Sequence, residues 1–185
     1  SVSISDVLAG LTQRFQRSAK RLSSWGEQRP VQPVPFLPLS GAADQRTDSA
    51  VFYPRLQQFL RPTDLLVSDT GTCLLKLNAI RLPGGVSIES QTLWGSIGWG
   101  TPAALGCALA EPERRVVLVT GDGAHQLTAQ EIGVMGFTGV NPVVIVLNNG
   151  LHGIEALISE TGHAYNDLPP WRFANLPAAL GCSGW

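Results

Sequence analysis

Two short polar signatures carry the residue types that could do chemistry: Gly-Asp-Gly at 121–123 and Asn-Asn at 148–149. Each closes an apolar run, "RRVVLVT" and "NPVVIVL". Asp122 offers a carboxylate, Asn149 an amide oxygen, and the loop after it a backbone carbonyl. Such hard oxygens suit Mg2+, which takes about six oxygen ligands and often shares those of a phosphate. Gly121 and Gly123 let a ligand approach the backbone closely. A helix starting near Ala124 would turn free N–H groups toward an anion. The chemistry implied is a diphosphate held to the protein through a divalent cation.

These signatures need elements to position them. "DLLVSDTGT" (64–72), "GGVSIES", "RRVVLVTGDG" and "NPVVIVLNNG" read as short apolar strands, each running into polar residues. Between them, "CLLKLNAIRL", "GWGTPAALGCALAEP" and "AHQLTAQEIGVMGFTG" read as helices. Strands without alternation, separated by helix-length segments, predict an α/β fold: a parallel sheet with helices on both faces. In such a sheet ligands bind beyond the carboxyl ends of the strands. The turns "SDTGT", "ESQTLWGSIG", "TGDGA" and "LNNG" all fall on that edge. If the third and fourth strands are neighbours, Asp122 and Asn149 converge.

Upstream, Ile4, Val7, Leu8, Leu11 and Phe15 predict a helix over 4–17. Residues 23–48, rich in proline and without period, predict an extended linker. Val51, Leu56, Phe59 and Leu60 predict a short helix that stops before Pro62. The expected division is 1–47, the end of a preceding domain with its linker, and 48–185, the domain carrying both signatures.

Composition excludes several classes. With 44% apolar and 15% charged residues the chain is globular. A net charge of -1 gives no footprint for nucleic acid or an acidic membrane, and no apolar run approaches the ~20 residues of a membrane span. Cys73, Cys107 and Cys182 show no metal spacing and read as reduced thiols in a cytoplasmic protein. A dinucleotide GxGxxG should follow the first strand, where "GTCLLK" stands instead, and no GxxxxGK[ST] loop occurs.

The stretch "TGDGAHQLTAQEIG…NPVVIVLNNG", with a 24-residue spacer at 124–147, resembles the GDG…NN signature of thiamine-diphosphate enzymes. "LWGSIGWGTPAALG", "SDTGT", "LTAQE" and "AYNDLPPW" are similar to their 2-oxo-acid decarboxylase branch, which acts on pyruvate, indolepyruvate or branched-chain substrates. The likeness covers about residues 48–185. It implies thiamine diphosphate and Mg2+ as cofactors, with Asp122, Asn149 and the Leu151 carbonyl as metal ligands. Gly121, Gly123, Ala124 and Thr72 would border the diphosphate. Thr70 would stand beside the cofactor, the Gly95 carbonyl would accept from its aminopyrimidine, and Ile97 would bend it. Glu155 would be the catalytic glutamate, serving in proton transfer or by disfavouring the charge of the substrate carboxylate; a buried carboxyl with a raised pKa would suit either role, and Ile154 would line the substrate pocket. The implied reaction is non-oxidative decarboxylation of a 2-oxo acid to an aldehyde, in which the cofactor acts as electron sink.

The NN loop departs from the family. It usually reads NN, an acidic residue, Gly-Tyr-Thr, an aliphatic residue and Glu; here it is "NNGLHGIE". Leu151 takes the usual glycine place, at a cost of about 1–3 kcal/mol if that place keeps φ > 0. Ala124 replaces a common serine and drops one hydroxyl. The family places its cofactor between this domain and a pyrimidine-binding domain of the same protein, within a homodimer or tetramer. No such domain is legible in 1–47, so the chain is expected to be a fragment, inactive alone. Two alternatives stand beside the decarboxylase: an acetolactate-synthase-like carboligase, and a non-catalytic cofactor-binding or scaffold domain. His125, His152 and His163 share no metal spacing and read as loop or helix histidines. Tyr165–Trp171 reads as a docking loop.

Overall fold

The computed structural model describes residues 5–6, 8–10, 12–13, 47–159 and 162–182. The chain forms two compact units, Ser1–Pro33 and Val34–Trp185. In the first, all seven described residues are helical, and the Thr12 hydroxyl donates to the Leu8 carbonyl one turn back, at 2.8 Å. The rest of the helix predicted over 4–17, and the predicted linker except Thr47 and Asp48, lie outside the described residues.

In the second unit four strands form one sheet: β1 (Leu65–Ser68), β2 (Ser87–Ser90), β3 (Val116–Gly121) and β4 (Val143–Leu147). The order is β2-β1-β3-β4 and every neighbouring pair is parallel. The inner strands are covered on both faces, so all of β1 and Val116–Thr120 are buried. That is why their sequences show no alternation. The faces still alternate in what they touch. Leu65, Val67, Val116 and Leu118 pack on α3 (Gly100–Ala110) and α5 (Glu131–Thr138). Leu66, Val117 and Val119 pack with α1 (Ser49–Phe59) and α2 (Thr72–Leu77) through Tyr53, Leu56, Cys73 and Leu77.

The small residues of "GTPAALGCALA" explain the close fit of α3. Ala104 is fully buried, and Leu105 and Ala108 nearly so. The helix predicted before Pro62 is α1, capped by the Asp48 carboxylate, which accepts from the Val51 amide at 2.9 Å. Its Phe59 points outward, where the Arg115 guanidinium lies 4.5 Å above the ring.

The amino ends of β1 and β3 are held by a fully buried carboxylate. Asp64 accepts from Arg115 Nε at 2.9 Å and Nη2 at 2.5 Å, and from the Arg61 amide at 2.7 Å. Burial pushes the Asp64 carboxyl up, but these donors more than offset it and hold it below its ordinary range. This clamp holds the strand starts where Leu65 pairs with Val116, and in that register Ser68 pairs with Val119, so β3 runs two residues further toward the site.

The third predicted helix is two. α4 (Asp122–Thr128) and α5 are separated at Ala129 and Gln130. There the amides of Ile132 and Gly133 bond three residues back instead of four, at 3.1 and 2.9 Å. This tight turn redirects the chain. The helix also starts earlier than expected, at Asp122 instead of Ala124. α6 (Gly153–Ile158) and α7 (Leu176–Ala179) complete the unit, with 3-10 turns at Ala164–Asn166 and Phe173–Asn175. All three cysteines are free.

Candidate functional site

The strand order makes the site. From β1 the chain moves outward to β2 on one side, whereas β3 lies on the other side of β1. The segments leaving β1 and β3 therefore diverge, and a crevice opens beyond their carboxyl ends. A cavity of about 50 Å³ lies there. From β1 it is lined by Thr70, Gly71, Thr72 and Cys73, and from β3 and α4 by Gly121, Asp122, Gly123 and Ala124. From β4 and its loop come Leu147, Asn149 and the run Leu151–Ile154, and Ile97 closes one side.

Ten of the twelve residues singled out in the sequence line this one cavity. Gly95 and Glu155 do not. Gly95 is exposed in the left-handed conformation, φ 65°. Glu155 is exposed on α6, so the described residues of this chain do not by themselves bury its carboxyl. The six-residue α6 has no buried residue, and among the described elements its main packing is on the Ala164–Asn166 turn.

Asp122 and the NN loop are joined directly, as neighbouring strands require. The Asp122 side chain is almost fully buried. Its Oδ1 accepts from the Gly123 amide at 3.0 Å, and its Oδ2 accepts from the Gly150 amide at 2.6 Å. One carboxylate thus takes up a free amide in the first turn of its own helix and grips the loop after β4. Asn149 turns its Oδ1 to the Leu151 amide at 3.3 Å. Its Nδ2 and the Thr72 hydroxyl both flank Gly153, 3.1 and 3.7 Å from where a β-carbon would stand.

The shifted glycine explains how the loop keeps its shape. The left-handed turn is taken by Gly150, φ 76°. Leu151 instead pairs with Asp167 in an antiparallel bridge, so the strain considered for a leucine at φ > 0 does not arise. The bridge is made by the neighbours: His152 N donates to Asn166 O at 2.8 Å, and Leu168 N to Gly150 O at 3.0 Å. In this pairing the amide and carbonyl of Leu151 point away from Asp167, on the edge where its amide meets Asn149. Asp122, Asn149 and Leu151 line one cleft, and the oxygens such residues carry are hard donors of the kind Mg2+ takes. The space beside Gly121 is open, with nothing within 4 Å of where a β-carbon would stand, and leaves room for a phosphate next to them.

Sequence reasoning missed Gly71, Cys73, Leu147, His152 and Gly153. Gly71, inside "SDTGT", and Gly153, inside "NNGLHGIE", were signalled by the motifs that contain them. The place of His152 depends on contact across the fold. Its ring lies over Gly123, with Cε1 2.6 Å from the position of a β-carbon there.

Beneath the cleft sits a layer of buried polar groups. Asp69 is fully buried, and burial pushes its carboxyl up against the hydrogen bonds that pull it down. Thr101 Oγ1 and His125 Nδ1 lie 2.9 Å apart, and Phe173 covers the histidine ring at 5.9 Å between centroids. Burial lowers the His125 pKa from 6.5 to about 4. The native state therefore resists protonation that the unfolded chain accepts. This contribution to stability is complete above about pH 6.5 and lost as pH falls toward 4, on the order of 3 kcal/mol in all. Urea denaturation at pH 7 and pH 4.5 should show this loss in the native chain and a smaller one in His125→Gln. Equal losses in both would remove His125 from the account.

Known proteins resemble this chain in sequence. Residues 69–185 match the family described as "Thiamine pyrophosphate enzyme, C-terminal TPP binding domain". A protein of Mycobacterium ulcerans named alpha-keto-acid decarboxylase is 41% identical over 152 residues, 82% of this chain and 26% of the relative. Proteins of the same name from Mycolicibacterium paratuberculosis and Mycobacterium leprae are 40% identical over 149 residues and 42% over 154. Each match covers 80% of this chain, and 26% and 27% of those relatives. The chain thus spans about a quarter of the length of the curated relatives it matches. The matched region begins just after β1 and takes in β3, the GDG turn, β4 and the NN loop, and on these grounds the chain belongs to the thiamine pyrophosphate enzymes, carrying their C-terminal TPP-binding domain.

Proposed function

We propose that this chain supplies the diphosphate and Mg2+ half of the active site of a thiamine-diphosphate-dependent 2-oxo-acid decarboxylase. The observation that carries the reading is the 2.6 Å bond from the Gly150 amide to Asp122. It ties together the two neighbouring strand ends that carry the carboxylate, amide and carbonyl of the proposed donor set. In this reading Asp122 and Asn149 hold the metal through their side chains and Leu151 through its carbonyl. Gly121, Gly123, Ala124 and the Thr72 hydroxyl border the diphosphate. Thr70 and Ile97 stand at the cleft's other wall, and Gly95 offers its carbonyl to the pyrimidine. When bound, the cofactor supplies an electron sink for loss of CO₂ from the 2-oxo acid.

A cavity of about 50 Å³ is far below the ~300 Å³ or more of an ordinary cofactor pocket. It suits one end of the cofactor. The remaining walls are assigned to a pyrimidine-binding domain of the same protein, in a homodimer or tetramer. Covered by that domain, Glu155 would lose its exposure and stand where it could serve in proton transfer, with Ile154 beside it facing the substrate. We assign the protein to the cytoplasm, in keeping with its three free thiols. Among the described residues no helix is long and apolar enough to cross a membrane.

Calorimetric titration of thiamine diphosphate with Mg2+, and again with EDTA, tests the cofactor reading. Binding that requires the metal is expected, and metal-independent binding or none in the full-length protein would overturn it. Product analysis then separates decarboxylase from carboligase: an aldehyde alone against an acyloin or acetohydroxy acid. The exposure of Glu155 favours one second reading, a non-catalytic cofactor-binding domain. Metal-dependent binding without turnover of any 2-oxo acid would select it.

A further inference from the structure

The loop from Gln91 to Trp99 carries Ile97 to the cleft, yet most of it is exposed, including Leu93 and Trp94. Something must hold such a loop in one form. Its start is fastened where the Thr70 hydroxyl donates to the Gln91 carbonyl at 3.1 Å. Its end is fastened by Asp69, whose Oδ2 accepts from the Gly100 amide at 3.1 Å and from the Thr120 hydroxyl at 3.1 Å, while Oδ1 accepts from the Thr70 amide at 2.9 Å. One buried carboxylate therefore joins the carboxyl ends of β1 and β3 to the residue where the loop enters α3.

Two glycines make this fit possible. A β-carbon at Gly100 would stand 2.8 Å from Asp69 Oδ2 and 2.9 Å from its Cβ and Cγ. Gly98, at φ 81°, lies against α4, where a β-carbon would stand 2.9 Å from Leu127 Cβ and 3.3 Å from the Ala124 carbonyl. The Thr128 hydroxyl donates to the Gly98 carbonyl at 2.8 Å. The loop's last turn is thus clamped between Asp69 and α4, the helix that begins with Asp122. A buried carboxylate accepting several hydrogen bonds holds its partners more strongly than neutral groups do, and its removal leaves buried donors without an acceptor.

We propose that Asp69 is a positioning residue, whose buried carboxylate locks the Gln91–Trp99 loop in the form that presents Ile97 to the cleft between β1 and β3. The link from that loop to the cofactor rests on the function proposed above, whereas the locking itself does not. In Asp69→Asn one of the two oxygens becomes an amide donor, so at least one of the converging N–H groups faces another donor.

Two measurements on the full-length protein test this. Amide hydrogen exchange should accelerate by about tenfold or more in peptides covering 91–100 of Asp69→Asn, with β3 and β4 peptides little changed. Affinity for thiamine diphosphate with Mg2+ should fall by about tenfold, while affinity for inorganic pyrophosphate with Mg2+, whose proposed contacts include no residue of the Gln91–Trp99 loop, should hold. Should Asp69→Asn fail to fold, Thr120→Val removes one of the two bonds to Oδ2 and keeps the carboxylate; the same pattern is expected at smaller size. Unchanged exchange at 91–100, uniform acceleration, or equal losses for both ligands would overturn the proposal. If the unaltered protein binds neither ligand, the cofactor reading falls and the exchange pattern alone decides whether Asp69 locks the loop.

Discussion

Asp122→Ala is expected to abolish Mg2+-dependent binding of thiamine diphosphate, an affinity loss on the order of a hundredfold or more. Two effects act together. The metal loses its only charged protein ligand in the proposed set. The NN loop loses its anchor, because the Gly150 amide donates to Asp122 Oδ2 at 2.6 Å and would be left without that acceptor. A hydrogen bond to a carboxylate is worth about 1.5–3 kcal/mol, so melting should also drop. Asp122→Asn separates the two effects: it keeps an oxygen near Gly150 but removes the charge. It should lose most of the metal-dependent affinity while retaining more of the stability than Asp122→Ala. Unchanged cofactor affinity in Asp122→Ala would place the metal elsewhere.

Gly123→Ala is the second large effect. The new methyl group would stand 2.6 Å from His152 Cε1, 2.7 Å from its Nδ1 and 2.9 Å from Leu168 Cδ1. The backbone on both sides of those residues is tied, His152 N to Asn166 O and Leu168 N to Gly150 O, so the side chains must yield first. Overpacking of this kind costs about 1–3 kcal/mol, and the displaced ring should intrude on the cleft it already lines. A melting shift together with roughly tenfold weaker binding of thiamine diphosphate is expected. His152→Ala in the same chain should restore part of the stability by removing the nearer obstacle. If Gly123→Ala alone melts and binds like the unaltered chain, the ring moves freely and the contact has no energetic weight.

Much of the fold and site was legible because strong local signals agreed. Apolar runs without alternation marked "LLVS", "VVLVT" and "VVIVL" as strands, small residues marked α3 for close packing, and the polar residues after each strand marked one edge. These are properties of neighbouring residues, so the sequence contains them outright. The same holds for GDG and NN, whose residue types already state an affinity for hard cations. Helix boundaries were less legible. Nothing local distinguishes Ala129–Gln130, where the third helix divides, since both residues are good helix formers and the turn is imposed by packing.

What the sequence by itself determined is the class of fold, the edge on which ligands bind and the donor atoms available there. Only the tertiary structure decided strand order, and hence that the crevice opens between β1 and β3. It decided that Gly150 takes the left-handed turn and frees Leu151 to pair with Asp167, a bridge across sixteen residues of chain. It also decided that Glu155 is exposed and that Asp69 and His152 belong to the site's architecture. The physical reason is common to all of these: strand order, loop path and burial are set by which distant groups satisfy one another's volume and hydrogen bonds, and that pairing is not a property of any single stretch of sequence.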